Sequence, residues 1–111
     1  MSDWAVGLST GCFYRTRIDD CLPAICEGGF TMLEICSFPA HLDYHDPDAV
    51  NRAARMMRRL SLEPYSFHAP YGEDIDITAL DESRRRHSRL EILQAAEAAA
   101  RLEAWHFVIH P

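Results

Sequence analysis

The amino-acid sequence predicts an α/β fold in which four parallel strands lie in the order 1-2-3-4, with three helices on the outer face of the sheet. Apolar runs of strand length alternate with longer segments of helical period, and such β-α-β alternation implies parallel strands and right-handed crossovers. Two of the runs also end alike, in Phe67-His68-Ala69-Pro70 and in Ile109-His110-Pro111. Proline has no N–H to donate to a neighbouring strand, so it marks each strand end. Parallel strands gather their sites at their carboxyl ends, where both histidines fall.

The first strand is predicted over residues 5–10, and a loop begins at Gly11. Thr16 is expected to cap the first helix. Its apolar face is formed by residues at helical spacing, Ile18, Cys21, Leu22, Ile25 and Cys26. Gly28-Gly29 ends the helix. Pro23 removes a hydrogen bond from the helix interior, so we expect a kink or a helix in two short pieces.

The second strand is predicted over residues 30–36, and Glu34 interrupts its apolar run. A carboxylate there is costly to bury unless it is paired, hydrogen-bonded or bound to a metal. A loop over residues 37–45 contains His41 and His45, for which a surface position is expected. Asp46-Pro47 is a cap followed by proline at the first helical position. The buried stripe of the second helix is predicted to be Val50, Ala53, Ala54, Met57 and Leu60.

The third strand carries His68 at its end, and an acidic loop over residues 72–80 follows it. Asp81 is expected to cap the third helix, which is predicted to run to about Glu103. Its alanines allow close packing on a sheet. The fourth strand is predicted over residues 105–110, and the chain stops directly after it.

Composition limits the classes of partner. The formal net charge is -6 and every basic residue is arginine, whereas nucleic-acid binding needs a positive surface. No apolar run approaches the roughly 18 residues of a membrane span. The N-terminus lacks the basic segment of a signal peptide, so a cytoplasmic protein is expected. None of the cysteines (Cys12, Cys21, Cys26, Cys36) form a C-x-x-C pair, so they are expected to be reduced thiols that pack as small hydrophobes.

Strand periodicity predicts a site. Alternate residues of a strand share a face, which places Glu34 with Met32 and Cys36, and His110 with Val108. If these faces line the interior of a barrel, Glu34, His68 and His110 converge at one rim of that barrel. The alternative for each histidine is a neutral ring that is hydrogen-bonded at a strand end, and for Glu34 a buried acid paired with a distant arginine.

The ordered motifs resemble a known family. Gly7-Leu8-Ser9-Thr10, Glu27-Gly28-Gly29-Phe30, Leu33-Glu34-Ile35, His68-Ala69-Pro70-Tyr71 and Ile109-His110-Pro111 are similar to the xylose isomerase-like TIM barrel family. That family includes sugar phosphate isomerases and epimerases and the endonuclease IV group. The resemblance spans the whole chain and implies a (β/α)₈ barrel with a divalent metal (Zn, Mn or Mg) at its carboxyl rim. A barrel of this type needs about 250 residues, so we expect residues 1–111 to be a partial TIM-barrel domain, the N-terminal half, truncated after strand four.

The branches of the family imply different roles for the same residues. In the nuclease branch the histidines that end strands three and four bind metal, and these correspond to His68 and His110. In the epimerase branch the metal is held mostly by strands five to eight, so Glu34, His68, His110 and His41 would bind substrate. The proton-transferring acids would then lie in the missing half.

Three functions follow from the resemblance. The first is a divalent-metal-dependent isomerase or epimerase of a sugar or sugar phosphate, which moves a proton next to a carbonyl. The second is a metal-dependent phosphodiesterase acting on DNA, against which the acidity of the chain weighs. The third is a non-catalytic half-barrel that pairs with another chain. We expect the chain alone to lack isomerase activity and to self-associate through the open edges of its sheet.

Overall fold

The chain forms one four-stranded parallel sheet that is covered by three helices. The computed structural model describes residues 3–111. The strands are β1 (Leu8–Ser9), β2 (Met32–Cys36), β3 (Glu63–His68) and β4 (His106–Val108), and the helices are α1 (Ile18–Glu27), α2 (Pro47–Arg59) and α3 (Glu82–Arg101). All neighbouring strands are parallel and the order is β1-β2-β3-β4. The predicted fold class, strand order and element order are confirmed.

One face of the sheet packs against the helices and forms the core. Leu33, Ile35 and Phe67 point to this side and are at most 1% exposed. They meet the apolar faces of the helices, which include Leu22, Ile25, Val50, Met57, Ala95 and Ala99. The opposite face, which we call the inner face, carries the residues of the other parity. Ser9, Glu34, Ser66 and His106 lie side by side across the four strands, and Cys36, His68 and Val108 form the next row toward the carboxyl ends.

The register of β3 contains an extra residue. Leu33 pairs with Pro64, but the next residue of β2, Glu34, pairs with Ser66. Tyr65 therefore forms a β-bulge, in which two residues of one strand oppose one residue of the other. The bulge places Phe67 in the core and both Ser66 and His68 on the inner face.

The first strand is shorter than the sequence predicts. Only Leu8–Ser9 pair with β2, and Thr10–Phe13 form a turn of 3₁₀-helix. Beyond Ser9 a side chain replaces the backbone partner, because the Cys36 N–H donates to Thr10 Oγ1 over 2.9 Å. Thr10 is fully buried, so this bond continues the pairing of β2 where the main chain of β1 turns away. β4 is likewise restricted to three residues, His106–Val108.

The helix boundaries agree with the predictions in most places. Asp46 caps α2 by accepting from the Asp48 N–H, and Asp81 caps α3 by accepting from the Arg84 N–H. The prediction that Thr16 caps α1 is wrong, since Arg17 holds that position without a side-chain hydrogen bond. α1 is one uninterrupted helix across Pro23 rather than two pieces. Its amino end is tied instead by the Ile18 N–H, which donates to the carbonyl of His41 over 2.9 Å.

Every helix ends with the same backbone motif. The residue after each C-cap has a positive φ, +90° at Gly29, 55° at Ser61 and 60° at Glu103. In each case the next N–H reaches back five residues, as from Phe30 to Ile25 and from Leu62 to Met57. These are Schellman motifs, which satisfy carbonyl groups that the helix itself leaves without partners. The predicted end of α1 at Gly28-Gly29 is confirmed, and α3 ends at Arg101, two residues before the predicted boundary.

Candidate functional site

The histidines that end β3 and precede the final proline lie in direct contact. The Nε2 atoms of His68 and His110 are 2.9 Å apart, and the ring centroids are 4.8 Å apart. His68 Nδ1 lies 2.9 Å from the carbonyl oxygen of Ala69. A carbonyl oxygen only accepts, so Nδ1 carries the proton and, in the neutral ring, Nε2 of His68 presents a lone pair. His110 therefore donates its Nε2–H to His68.

Tyr71 completes an aromatic group around the two imidazoles. Its ring centroid lies 4.9 Å from that of His68 and 5.0 Å from that of His110. Tyr71 is 66% exposed, so the group forms an open surface at the carboxyl ends of β3 and β4 rather than a closed pocket. The sequence predictions did not include Tyr71 in the site, although it follows His68-Ala69-Pro70 directly.

Glu34 lies on the same inner face, one row nearer the amino ends of the strands. Its two carboxylate oxygens accept from serine hydroxyls of both neighbouring strands: Ser66 at 3.2 Å and Ser9 at 3.5 Å. Within residues 3–111 no arginine forms an ion pair with Glu34, so the alternative of a buried acid paired with a distant arginine does not hold. The serines hold the carboxylate while leaving lone pairs free, since an ionised carboxylate has about four acceptor positions.

His41 is placed differently from the other predicted site residues. It is 3% exposed, so its expected position at the surface of the loop is wrong. Its Nδ1 contacts the carbonyl of Thr16, and its Nε2 has no hydrogen-bond partner among the described residues. His41 lines a cavity of about 190 Å³ between the start of α1 and the start of α2, and neither Glu34, His68 nor His110 lines that cavity. The structure brings the other three residues to one face and leaves His41 apart from them.

The donor set can be tested against the metal that the resemblance implies. Two imidazole nitrogens bound to one tetrahedral zinc ion lie about 3.3 Å apart at ordinary Zn–N distances. The observed Nε2–Nε2 separation of 2.9 Å is that of an N–H···N hydrogen bond, so the two rings would have to move about 0.4 Å apart, and His110 to lose its Nε2 proton, to hold an ion. The Nδ1–H bond from His68 to a backbone carbonyl is the usual outer support of a metal-binding histidine. However, no cluster of three or more His, Cys, Asp or Glu side chains that could hold a metal ion occurs within residues 3–111. The pair fits two positions of a coordination sphere and no more.

Two further observations bear on the class of protein. None of the helices within the described residues is long and apolar enough to cross a membrane. All the cysteines are free thiols; Cys21 is buried and Cys12 is exposed, so the expectation of buried small hydrophobes does not extend to Cys12. Burial raises the pKa of the Cys21 thiol to about 11, which keeps it protonated and unreactive near neutral pH.

The chain is similar to the solved structures of one sugar epimerase and one epimerase-like protein. A D-tagatose 3-epimerase-like protein superposes with a TM-score of 0.78 and 25% sequence identity, over 95% of this chain and 37% of that protein. D-psicose 3-epimerase, solved in the presence of D-fructose, superposes with a TM-score of 0.75 and 10% identity, over 91% of this chain and 35% of that enzyme. No protein-family model and no curated protein matches the chain.

The comparisons establish the fold at the level of half a barrel. The chain spans little more than a third of each of these proteins, which are TIM barrels, and it provides four parallel strands and three helices. The inner face, with Glu34, His68 and His110, corresponds to the side that lines the interior of such a barrel.

Proposed function

We propose that this chain is the N-terminal half of a sugar or sugar-phosphate epimerase or isomerase, and that its inner face binds the hydroxyl groups of the substrate. The observation that carries the proposal is the contact between His68 and His110 at the carboxyl ends of adjacent strands, 2.9 Å between ring nitrogens. Active sites of TIM barrels are built at this end of the strands. The epimerase character of the structural neighbours supports this choice among the functions that a barrel can have.

The inner-face groups supply complementary contacts for a polyhydroxylated molecule. Glu34 accepts hydrogen bonds from sugar hydroxyls, since the serines occupy only part of its acceptor capacity. His110 can donate its Nε2–H to a hydroxyl oxygen once a substrate separates it from His68. The exposed ring of Tyr71 offers a flat surface against which the C–H groups of a sugar can pack. These residues bind and orient, and we assign the acids that transfer the proton to the strands that would complete the barrel.

A divalent ion in such a site would supply positive charge that stabilises the negative charge developing on the sugar oxygens. Of the described residues, His68 and His110 are the ones that would hold it, through their Nε2 atoms. Two ligands make a weak site, so tight binding would need the ligands of the completing strands.

The proposal can be tested on the chain itself by NMR. Addition of Mn²⁺ should broaden the ring resonances of His68 and His110 before those of His87, which lies on α3, because a paramagnetic ion relaxes the nuclei closest to it. In a separate sample that contains diamagnetic Mg²⁺ instead of Mn²⁺, addition of D-fructose should shift the resonances of Tyr71 and Ser66, which lie beside His68. Broadening that affects all six histidines equally, with no sugar-dependent shift on the inner face, would show that these residues are not a binding site.

The half-barrel that pairs with another chain remains a second candidate, because the structure exposes what a complete barrel would cover. Trp105, Val108 and Ile109, in and next to β4, are between 36% and 72% exposed. Binding of metal and sugar at the inner face distinguishes the first proposal from this one, which predicts association alone. The DNA phosphodiesterase has less support, since the formal charge is -6 and the solved neighbours are described as an epimerase and an epimerase-like protein.

A further inference from the structure

An imidazole that lies between two carboxylates helps to fasten the loop between β2 and α2 to α3. His45 Nδ1 lies 2.8 Å from Asp43 Oδ1, and His45 Nε2 lies 2.6 Å from Glu91 Oε2. Asp43 and His45 belong to the loop, whereas Glu91 lies in the third turn of α3. The contact therefore joins two parts of the chain that are 46 residues apart.

The geometry fixes the charge of His45. An ionised carboxylate only accepts hydrogen bonds, so each ring nitrogen that contacts one has to carry a proton. With carboxylates on both nitrogens, the ring is an imidazolium. A neutral imidazole can donate from one nitrogen only, so its other nitrogen would direct a lone pair at a carboxylate oxygen less than 3 Å away. Loss of one proton thus replaces an attraction with a repulsion.

Neighbouring groups reinforce this arrangement. The hydroxyl of Tyr44, a residue that is 7% exposed, donates to the same Glu91 Oε2 over 2.6 Å. The Tyr44 and His45 rings lie 4.2 Å apart between centroids, so the two loop residues approach α3 together. The backbone N–H of His45 also donates to Asp43 Oδ1, which orients that carboxylate. A further titratable group that acts on this cluster is His87 of α3, whose positive form favours the ionised state of Glu91.

We propose that Asp43, His45 and Glu91 form a pH-operated latch that tightens the β2–α2 loop against α3 when His45 is charged and loosens it when His45 is neutral, leaving the Tyr44–Glu91 hydrogen bond as the remaining fastening. The loop also carries His41, and Asp43 lines the cavity beside it. Release of the latch therefore loosens the segment that covers the buried His41 ring and changes access to that cavity. The latch does not depend on the proposed function of the inner face.

The pKa shifts give the direction of the response. Burial lowers the pKa of His45, but the hydrogen bonds to Asp43 and Glu91 outweigh it and raise the pKa above its ordinary value. A raised histidine pKa means that the latch is fully formed below about pH 6.5 and is lost as the pH rises through the folded-state value. Burial raises the pKa of Glu91, but hydrogen bonds from Tyr44 and His45 outweigh it and lower the pKa. Its contribution is present above about pH 4.5 and is lost as the pH falls through the lowered value.

The test combines two measurements on the whole chain at a series of pH values. NMR of the ring Cε1–H gives the titration of His45. Hydrogen exchange gives the protection factors of the Leu42 and Asp46 amides, which are bonded within the loop to Phe38 and Asp43. Protection factors, unlike raw exchange rates, are corrected for base catalysis. We expect protection to fall about two- to fivefold, with a midpoint at the pKa of His45, since partly exposed ion pairs of this kind are of modest strength.

Variants identify the cause. Glu91→Gln should lower the pKa of His45 and abolish the change in protection, and His45→Gln should abolish the change because the side chain no longer titrates. Glu97→Gln makes the same chemical change at an exposed position of α3 and should behave as the unmodified protein does. A His45 that titrates at or below its ordinary value in the unmodified protein would overturn the latch. So would a fall in loop protection that persists in His45→Gln.

Discussion

His68 is the residue with the most restricted chemistry on the inner face. Its Nδ1–H is committed to the carbonyl of Ala69, so only Nε2 is left for another partner. That nitrogen faces His110, whose side chain is exposed. The hydrogen bond from Nδ1 to the backbone fixes the orientation of the imidazole ring, so Nε2 is already positioned to bind a ligand.

Replacement of His68 should therefore separate binding from stability. We expect His68→Ala to reduce the affinity for Mn²⁺ at least tenfold, measured by NMR titration, because one of two imidazole ligands is lost. The free energy of unfolding should change by less than about 1 kcal/mol, since the side chain is only half-buried and lies outside the core. His106→Ala, an exposed histidine on the same face, is the control and should leave Mn²⁺ binding unchanged. Equal losses of binding and stability would indicate a structural histidine.

A core residue should show the opposite behaviour. Leu22 is fully buried in the packing between α1 and the sheet. Leu22→Ala should lower the free energy of unfolding by about 2–5 kcal/mol, through lost apolar burial and the cavity left behind. Leu80, which is 99% exposed, provides the matched control, and Leu80→Ala should have little effect in the same urea titration. A comparable loss at both positions would contradict the assignment of the core to the helix-facing side of the sheet.

For individual residues, the sequence predicts the side of the sheet on which a side chain lies better than it predicts the residues that the side chain contacts. Alternation along each strand predicts which residues of that strand share a face, and the shared strand-end position then places Glu34, His68 and His110 together. The serine partners of Glu34 depend on the register between strands, and that register contains a bulge that no local pattern marks. His41 could not be placed either, since its burial results from the contact of its ring with Thr16, twenty-five residues away.

The helix ends carry a conformational cost that differs from one element to the next. α1 uses Gly29 at the position of positive φ, whereas α2 uses Ser61 and α3 uses Glu103. Residues with a Cβ atom are strained in this region by about 1–2 kcal/mol, and glycine is not. The same motif therefore costs more in α2 and α3 than in α1.

Glycine at these positions should stabilise the fold. Ser61→Gly should raise the free energy of unfolding by about 0.5–1 kcal/mol, because relief of strain exceeds the added freedom of the unfolded chain. Gly29→Ser should lower it by a similar amount; a Cβ there meets no atom within 4 Å, so the effect is conformational rather than steric. Ala100→Gly, at an exposed helical position, serves as the control and should lower stability by about 1 kcal/mol. If thermal or urea unfolding shows that Ser61→Gly lowers the free energy of unfolding as Ala100→Gly does, then Ser61 is not strained by its positive φ.

The elements themselves were predictable because their periods are unambiguous, and their ends were predictable only where a specific residue marks them. Asp46-Pro47, Asp81 and Gly28-Gly29 identified three boundaries correctly. Thr16 did not cap α1, because the amino end of that helix is bound to the His41 carbonyl and its neighbouring loop instead. The length of β1 depends on Thr10, whose hydroxyl takes over a bond that the sequence pattern assigned to the main chain.

The molecule as a whole has two open sheet edges and one uncovered face. β1 and β4 each have a strand on one side only. Trp4, Val6, Trp105 and Ile109 are between 46% and 83% exposed near these edges. Unpaired backbone groups next to exposed apolar side chains favour pairing with another chain. A complete barrel would cover these edges and this face.

We expect the chain to self-associate in a concentration-dependent way, as measured by size-exclusion chromatography with light scattering. Trp105→Lys should shift the equilibrium toward the monomer, because a charged residue beside an edge strand opposes edge-to-edge pairing. Leu80→Lys adds the same charge at a fully exposed loop position and should leave association unchanged.

The same samples should lack epimerase activity on D-fructose, since the acids that transfer the proton are assigned to strands that this chain does not contain. A monomer at all concentrations would refute the role of the edges. Turnover of the sugar by the monomer would refute the assignment of the chemistry to the other half.

The bulge at Tyr65 gives β3 one extra residue, which has no opposite residue in β2, shortly before His68. Between Pro64 and His68 the strand has one residue more than its partner needs. If one residue is lost in this stretch, the bulge can flatten, and His68 still ends opposite Cys36 with its ring on the inner face. An equivalent loss in β2 has no bulge to absorb it and turns the following side chains over. Homologous chains that are one residue shorter at this point should therefore keep the histidine in place, so length variation in evolution is better tolerated before His68 than before Glu34.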